Sequence, residues 1–192
     1  MAIKTFTTGE VLTAADTNTY LANSGLVYVT GAAFTAQSSV PVSGVFTTGA
    51  NNYRIIVRIN AVNSNATRTI NMRFRDSGGD DGGPVYTYAS QMSGLTQTTF
   101  NANNGGYGQT EFKLCNAYYA GEFAAATLDI LDPFSASKVT SASGMVQGGT
   151  ASENTTGTFG GFATAKSYTG FSLYPSTGNI TGTYYVYAYR NA

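Results

Sequence analysis

Apolar and polar positions alternate most clearly over residues 53–62, where Tyr53, Ile55, Val57 and Ile59 share one parity and Arg54, Arg58 and Asn60 the other. A period of two marks a strand buried on one face. Residues 67–75 follow with the parity reversed: Ile70, Met72 and Phe74 are apolar, while Thr69, Asn71, Arg73 and Arg75 are polar. With Asn63-Ser64-Asn65 turning the chain between them, the two runs predict a hairpin with one core face and one wet face. Further strands are expected at 26–30, within 34–45 where Pro41 and Gly44 interrupt, and at 85–89, 111–115, 123–131, 138–147, 158–165, 168–174 and 180–190. The glycine-rich residues 76–84 read as a loop, and residues 95–108, mostly Thr, Asn and Gly, as a long surface excursion. Strands at this spacing, about ten of them with turn residues between, predict an all-β fold. The expected architecture is an antiparallel, jelly-roll-like β-sandwich over residues 26–192.

Ahead of the strands the pattern changes. Thr13 is placed to cap a helix and Asp16 to reach back, which is a capping box with Asp for the usual Glu. A helix is expected from Ala14 to Ala22, closed by Asn23-Ser24-Gly25. That is about nine residues, short of the roughly dozen an isolated helix needs in water. Residues 1–25 are therefore expected to form an arm that needs something to dock on.

Composition narrows the class. In 192 residues there are 23 glycines and 14 tyrosines, no tryptophan, 10 percent charged residues and no net charge. Glycine, Thr, Ser and Asn in this abundance suit short strands and turns. A neutral chain has little with which to hold DNA or an anionic membrane, so no nucleic acid is expected. No apolar run approaches the roughly 20 residues of a membrane span, so none is expected either. The start Met1-Ala2-Ile3-Lys4 leads straight into polar residues, so no secretory leader is expected and synthesis is placed in a cytoplasm.

Candidate chemistry is sparse. There is no histidine, so no Ser-His-Asp or Cys-His arrangement is available. Cys115, beside Phe112 and Leu114, reads as a buried inert thiol. Asp76-Ser77-Gly78-Gly79-Asp80-Asp81-Gly82 offers three carboxylates to a calcium ion, but its spacing is not that of an EF-hand, and a solvated turn is the plainer reading. Among the acids, Glu111 and Glu122 on neighbouring strands are the pair best placed to face one another, as a glycosidase would require. No catalytic, cofactor or metal residue is assigned.

Two surfaces carry more weight. Arg54, Arg58, Arg73 and Arg75 would share one face of the expected hairpin, where like charges repel unless acids meet them. They read as a subunit interface or as a water-facing sheet. Tyr185, Tyr187 and Tyr189 share a parity on the last strand and read as a partner surface, a sugar platform or ordinary sandwich core.

Two stretches resemble known proteins. Phe6, Gly9, Val11, Leu12, Thr13, Ala14, Ala15, Asp16, Asn18, Tyr20 and Leu21 spell an opening that resembles small virion structural proteins of tailed bacteriophages. Gly170-Phe171-Ser172-Leu173-Tyr174-Pro175, then Gly178-Asn179-Ile180-Thr181-Gly182 and Tyr185-Val186-Tyr187-Ala188-Tyr189-Arg190, resemble the closing strands of phage tail-fibre and head-decoration proteins. The resemblance implies a non-enzymatic virion protein, a trimer displayed on the particle surface and needing no cofactor. Phe6, Val11, Leu12, Tyr20 and Leu21 would attach it to capsid or tail. A capsid cement or decoration protein is the first expectation. A short tail fibre gripping host polysaccharide is the alternative.

Overall fold

The fold is seen in a computed structural model that describes residues 7–11, 13–16, 25–63, 68–94, 101–117, 124–150 and 153–189. Three residues, Ala14–Asp16, are helical. The rest of the expected helix, and Phe6, Leu12, Tyr20 and Leu21 with it, fall outside the described residues.

The other described residues form strands and turns, the strands in two antiparallel sheets. In chain order the strands are β1 (Leu26–Gln37), β2 (Val40–Val42), β3 (Asn52–Val62), β4 (Arg68–Asp76), β5 (Gly79–Asp80), β6 (Tyr86–Gly94), β7 (Asn101–Gln109), β8 (Phe112–Ala117), β9 (Ala124–Leu131), β10 (Val139–Thr150), β11 (Glu153–Ala165), β12 (Gly170–Pro175) and β13 (Ile180–Tyr189). The larger sheet runs β1-β13-β3-β9-β10-β11-β6-β7. The smaller runs β2-β12-β4, with β5 and β8 both paired to β4.

The alternation read from the sequence holds, but the hairpin does not. Tyr53, Ile55, Val57 and Ile59 are buried on β3, and Ile70, Met72 and Phe74 on β4. Yet β3 pairs with β13 and β9, whereas β4 pairs with β12, β5 and β8. The chain crosses from one sheet to the other between them, and both strands turn their apolar sides to a shared core. Reversed parity across a short link fits either arrangement, so pattern alone did not separate them. The second correction is at 95–108, expected as loop. Asn101–Gln109 is a strand at the edge of the large sheet, held by β6. Pairing overrides the low intrinsic strand preference of Asn and Gly.

Aromatic rings fill the centre. Phe74, fully buried, meets Tyr168 at 4.9 Å, Phe112 at 5.7 Å, Phe46 at 6.2 Å and Tyr86 at 6.3 Å between ring centroids. Each such ring contributes about 1.5–3 kcal/mol by leaving water. The fully buried Tyr86 keeps two partners: its Oη accepts from the Phe74 amide at 2.9 Å and donates to the Asp81 carbonyl at 2.8 Å. The edge strand β1 is irregular at two places, between Tyr28 and Thr30 and between Phe34 and Gln37. At the second, Ala36 takes a left-handed φ of 50° and its amide bonds the Thr181 hydroxyl at 3.0 Å. Pro41 lies on β2, also an edge, where its missing donor costs nothing.

Candidate interaction surfaces

Because β3 and β4 belong to different sheets, the four arginines do not form one patch. Arg54 and Arg58 project from the large sheet, Arg73 and Arg75 from the small one. Three of the four meet acids within the chain. Arg54 grips Asp129 bidentately, with Nε and Nη2 each 2.8 Å from a carboxylate oxygen, and Tyr189 Oη donates to the same carboxylate at 2.6 Å. Arg73 bonds Glu111 at 3.0 Å and lies over the Tyr174 ring, 5.2 Å from its centroid. Arg75 pairs with Asp80, which also accepts from the Ser172 hydroxyl. Arg58 stands exposed. The repulsion that would have called for a neighbour's carboxylates is thus met largely inside the molecule.

These contacts set the charge states. The Arg54 hydrogen bond, aided by Tyr189, holds the Asp129 carboxyl below the ordinary carboxylate range. Burial alone would raise Glu111, but hydrogen bonds from Thr110 and Arg73 outweigh it and lower its pKa. A glycosidase acid needs the reverse, a carboxyl kept protonated near neutrality. Glu122 lies outside the described residues.

The acidic loop is organised by a lysine. Lys166 Nζ lies 2.6 Å from Asp76 Oδ2 and 3.0 Å from Asp81 Oδ2, so an ammonium bridges two of the carboxylates that a calcium ion would need. The Lys166 hydrogen bond and the Gly78 amide lower the Asp76 pKa, and the two carboxylates raise that of Lys166. Among the described residues no group of three metal-ligating side chains converges. Cys115 is buried, and desolvation pushes its thiol up to about 12.

The outer face of the large sheet is the broadest surface. Register partners cross all eight strands in the row Tyr28, Tyr187, Arg54, Asp129, Ser143, Gly160, Ala89, Gly105. A neighbouring row runs Gly31, Tyr185, Ile56, Thr127, Met145, Thr158, Gln91. Tyr185, Tyr187 and Tyr189 therefore stand on the outward face, which sets aside the sandwich-core reading, since the core side of the strand is held by Val186 and Ile180. Tyr28 joins them, its ring 5.8 Å from Tyr187 in an edge-to-face contact. Sequence reasoning missed the far half of this face. Its signal was present in the exposed Ser143 and Met145 between the buried Ala142 and Val146.

At one corner of the face, Tyr107, Phe162, Val139, Thr87 and Thr164 line a groove of about 320 Å³. Tyr107 is 88% exposed and Phe162 49%. Near the start of the chain, residues 7–11 and 13–15 are exposed, Val11 at 77%. Among the described residues no helix is long and apolar enough to cross a membrane. The chain matches no known protein family, no curated protein and no solved structure.

Proposed function

We propose that this chain is a non-enzymatic structural protein of a tailed-phage virion, made in the host cytoplasm and displayed as a trimer on the particle. Within that class the reading is a capsid cement or decoration protein, with residues 1–25 as the attachment arm and a jelly roll projecting outward. The observation that carries it is the exposure of the described arm. Residues 7–11 and 13–15 do not settle into the chain's own sandwich, so Val11 is left for another surface to cover. The opening and closing sequence stretches support the virion assignment.

The sheet order supports the jelly roll. A jelly roll winds two Greek keys so that successive strands alternate between two four-stranded sheets. Here β1, β3, β9 and β13 lie together in one sheet as β1-β13-β3-β9, and β2, β4, β8 and β12 in the other as β2-β12-β4-β8. The hairpins β6-β7 and β10-β11 then extend the first sheet beyond β9. An arm and a knob are all that cement needs, whereas a fibre also needs a shaft for reach.

The test is attachment to purified particles. Protein lacking residues 1–25 is expected to keep its β-sheet circular dichroism and lose binding to undecorated capsids. Retained binding by the folded truncation would overturn the arm reading.

The Tyr107 and Phe162 groove favours a second reading, a short fibre that holds host polysaccharide. Two exposed aromatic rings, with Thr87 and Thr164 lining the same groove, offer stacking and hydroxyl contacts of the kind neutral sugars use. Specific glycan-array binding that disappears in Tyr107→Ala would favour the fibre over cement.

A further inference from the structure

The outer face of the large sheet is open and apolar. Ten large apolar side chains stand exposed among the described residues, and six of them project from this one face: Leu26, Tyr28, Leu131, Met145, Phe162 and Tyr185. None of the ten lies on the outer face of the small sheet. Apolar area concentrated in this way marks an interaction surface.

Its size, charge and relief say what covers it. Eight strands spaced about 4.8 Å apart, with four side-chain rows each separated by about 6.8 Å, span roughly 700 Å². Split between two neighbours, the face gives each contact about 350 Å² from each copy, below the roughly 800 Å² of a standard interface, so a ring is held by its contacts together. The described charges on the face are Arg54, Arg58 and Asp129, and at its centre Arg54 and Asp129 neutralise each other. A like surface brought against it meets no uncompensated charge there. The relief is divided. The β1-β13 side is raised by Tyr28, Tyr185 and Tyr187, while the β11-β6 side dips at Gly160 and Ala89 beside Phe162.

Gly160 supplies an independent reason. A Cβ at Gly144, Gly148, Gly170 or Gly182 would come within 1.9–2.1 Å of a backbone oxygen, and one at Gly31 within 2.5 Å of the Tyr185 ring. Those glycines are demanded by the fold. At Gly160 a Cβ would meet nothing within 4 Å, and its backbone is not left-handed. A glycine inside a strand costs stability and marks a place where another backbone or ligand comes close.

We infer that this face is where a second copy of the chain packs, with the tyrosine-bearing half of one copy on the glycine-bearing half of the next. A head-to-tail contact of this kind closes into a ring where its rotation divides the circle, three copies at about 120°, and otherwise runs on as a filament. The inference rests on the trimer of the proposed function and deepens it by naming the contact.

Native mass spectrometry and light scattering on the full chain test it. The wild type is expected at about 60 kDa, three times the 20.1 kDa protomer. Gly160→Arg and, separately, Met145→Glu are expected to fall to the protomer mass with unchanged circular dichroism. Met145 is 60% exposed, so its variant guards against a folding failure at Gly160. A wild type that is monomeric would overturn both the trimer and this surface, leaving the face to a different partner. A wild-type trimer that both folded variants retain would overturn the surface alone.

Discussion

On the outer face of the small sheet, Arg73, Arg75, Asp80, Glu111 and Lys113 crowd three strands and the turn beside them, and Asn71, Ser172 and Tyr174 fill the space between. The outer face of the large sheet spreads Arg54, Arg58 and Asp129 over eight strands and gives the remaining area to tyrosine, methionine, phenylalanine and small residues. Both faces belong to strands of the same alternating kind around one core. Alternation therefore settles which side of a strand goes inward, and leaves open whether the other side meets water or protein. That second choice is written in the type of residue on the outward parity, and here it differs sharply between the sheets.

The strongest way to break the comparison is to show that the two sheets are not one cooperative unit. Phe74→Ala removes the ring that touches Phe46, Tyr86, Phe112 and Tyr168, and is expected to cost about 3–5 kcal/mol. Urea unfolding followed by both tyrosine fluorescence and far-ultraviolet dichroism should show one coincident transition at a lower midpoint. Two separated transitions would mean that the sheets unfold independently.

Next in size is a contrast between adjacent residues on opposite sides of β11. A Cβ on Gly161 would lie 2.8–2.9 Å from Phe112, Tyr88 and the Thr87 carbonyl, so Gly161→Ala is expected to lose about 1–3 kcal/mol by overpacking. Thermal melts of the two alanine variants make the comparison direct. Gly160→Ala has open space, and in the protomer is expected to be neutral or to gain up to about 1 kcal/mol. Equal losses at both positions would contradict the assignment of inner and outer sides.

A smaller effect concerns acid. Asp76, Glu111 and Asp129 all have folded pKa values held down by their partners. Their stabilisation is fully present above the unfolded value of about 4 and is lost as pH falls through the lower folded values. Both Asp129 and Arg54 are about a third exposed, so screening limits the Asp129 share to about 1 kcal/mol or less. Asp129→Asn should therefore lower the urea midpoint at pH 7 and flatten the decline between pH 4 and pH 2. If its curve ran parallel to the wild type, the Arg54 pair would contribute nothing. Glu111→Gln should change the acid profile to a similar degree and leave the oligomer mass unaltered. Asp129→Asn, by uncovering Arg54 at the centre of the other face, should loosen the oligomer as well.

Much of the fold was legible. Tyr53 to Ile59 and Ile70 to Phe74 gave both inward faces, and Asp132-Pro133 marked the end of β9, because steric limits at proline and the two-residue strand period act locally, whereas Pro41, expected to interrupt a strand, lies inside the edge strand β2. What failed was non-local. Asn63-Ser64-Asn65 suggested a hairpin turn, whereas the link joins two sheets. Asn103-Asn104-Gly105-Gly106 lacked any strand preference of its own, yet β6 recruits it. The tyrosine parity on β13 was visible, but Tyr28, 159 residues upstream of Tyr187, came into the same row only through pairing. Arg54 was read with Arg73 because they are near in sequence, and its true partner, Asp129, is 75 residues away.

Lys166 has a consequence for handling as well as for folding. Loops rich in aspartate are commonly fastened by a dissolved metal, so their shape follows the supply of that metal in the medium. Here the fastening charge is part of the polypeptide and cannot be diluted away, stripped by a chelator or exchanged for another ion. The Asp76 to Asp81 bend should keep one geometry whether the surroundings are rich or poor in divalent salts.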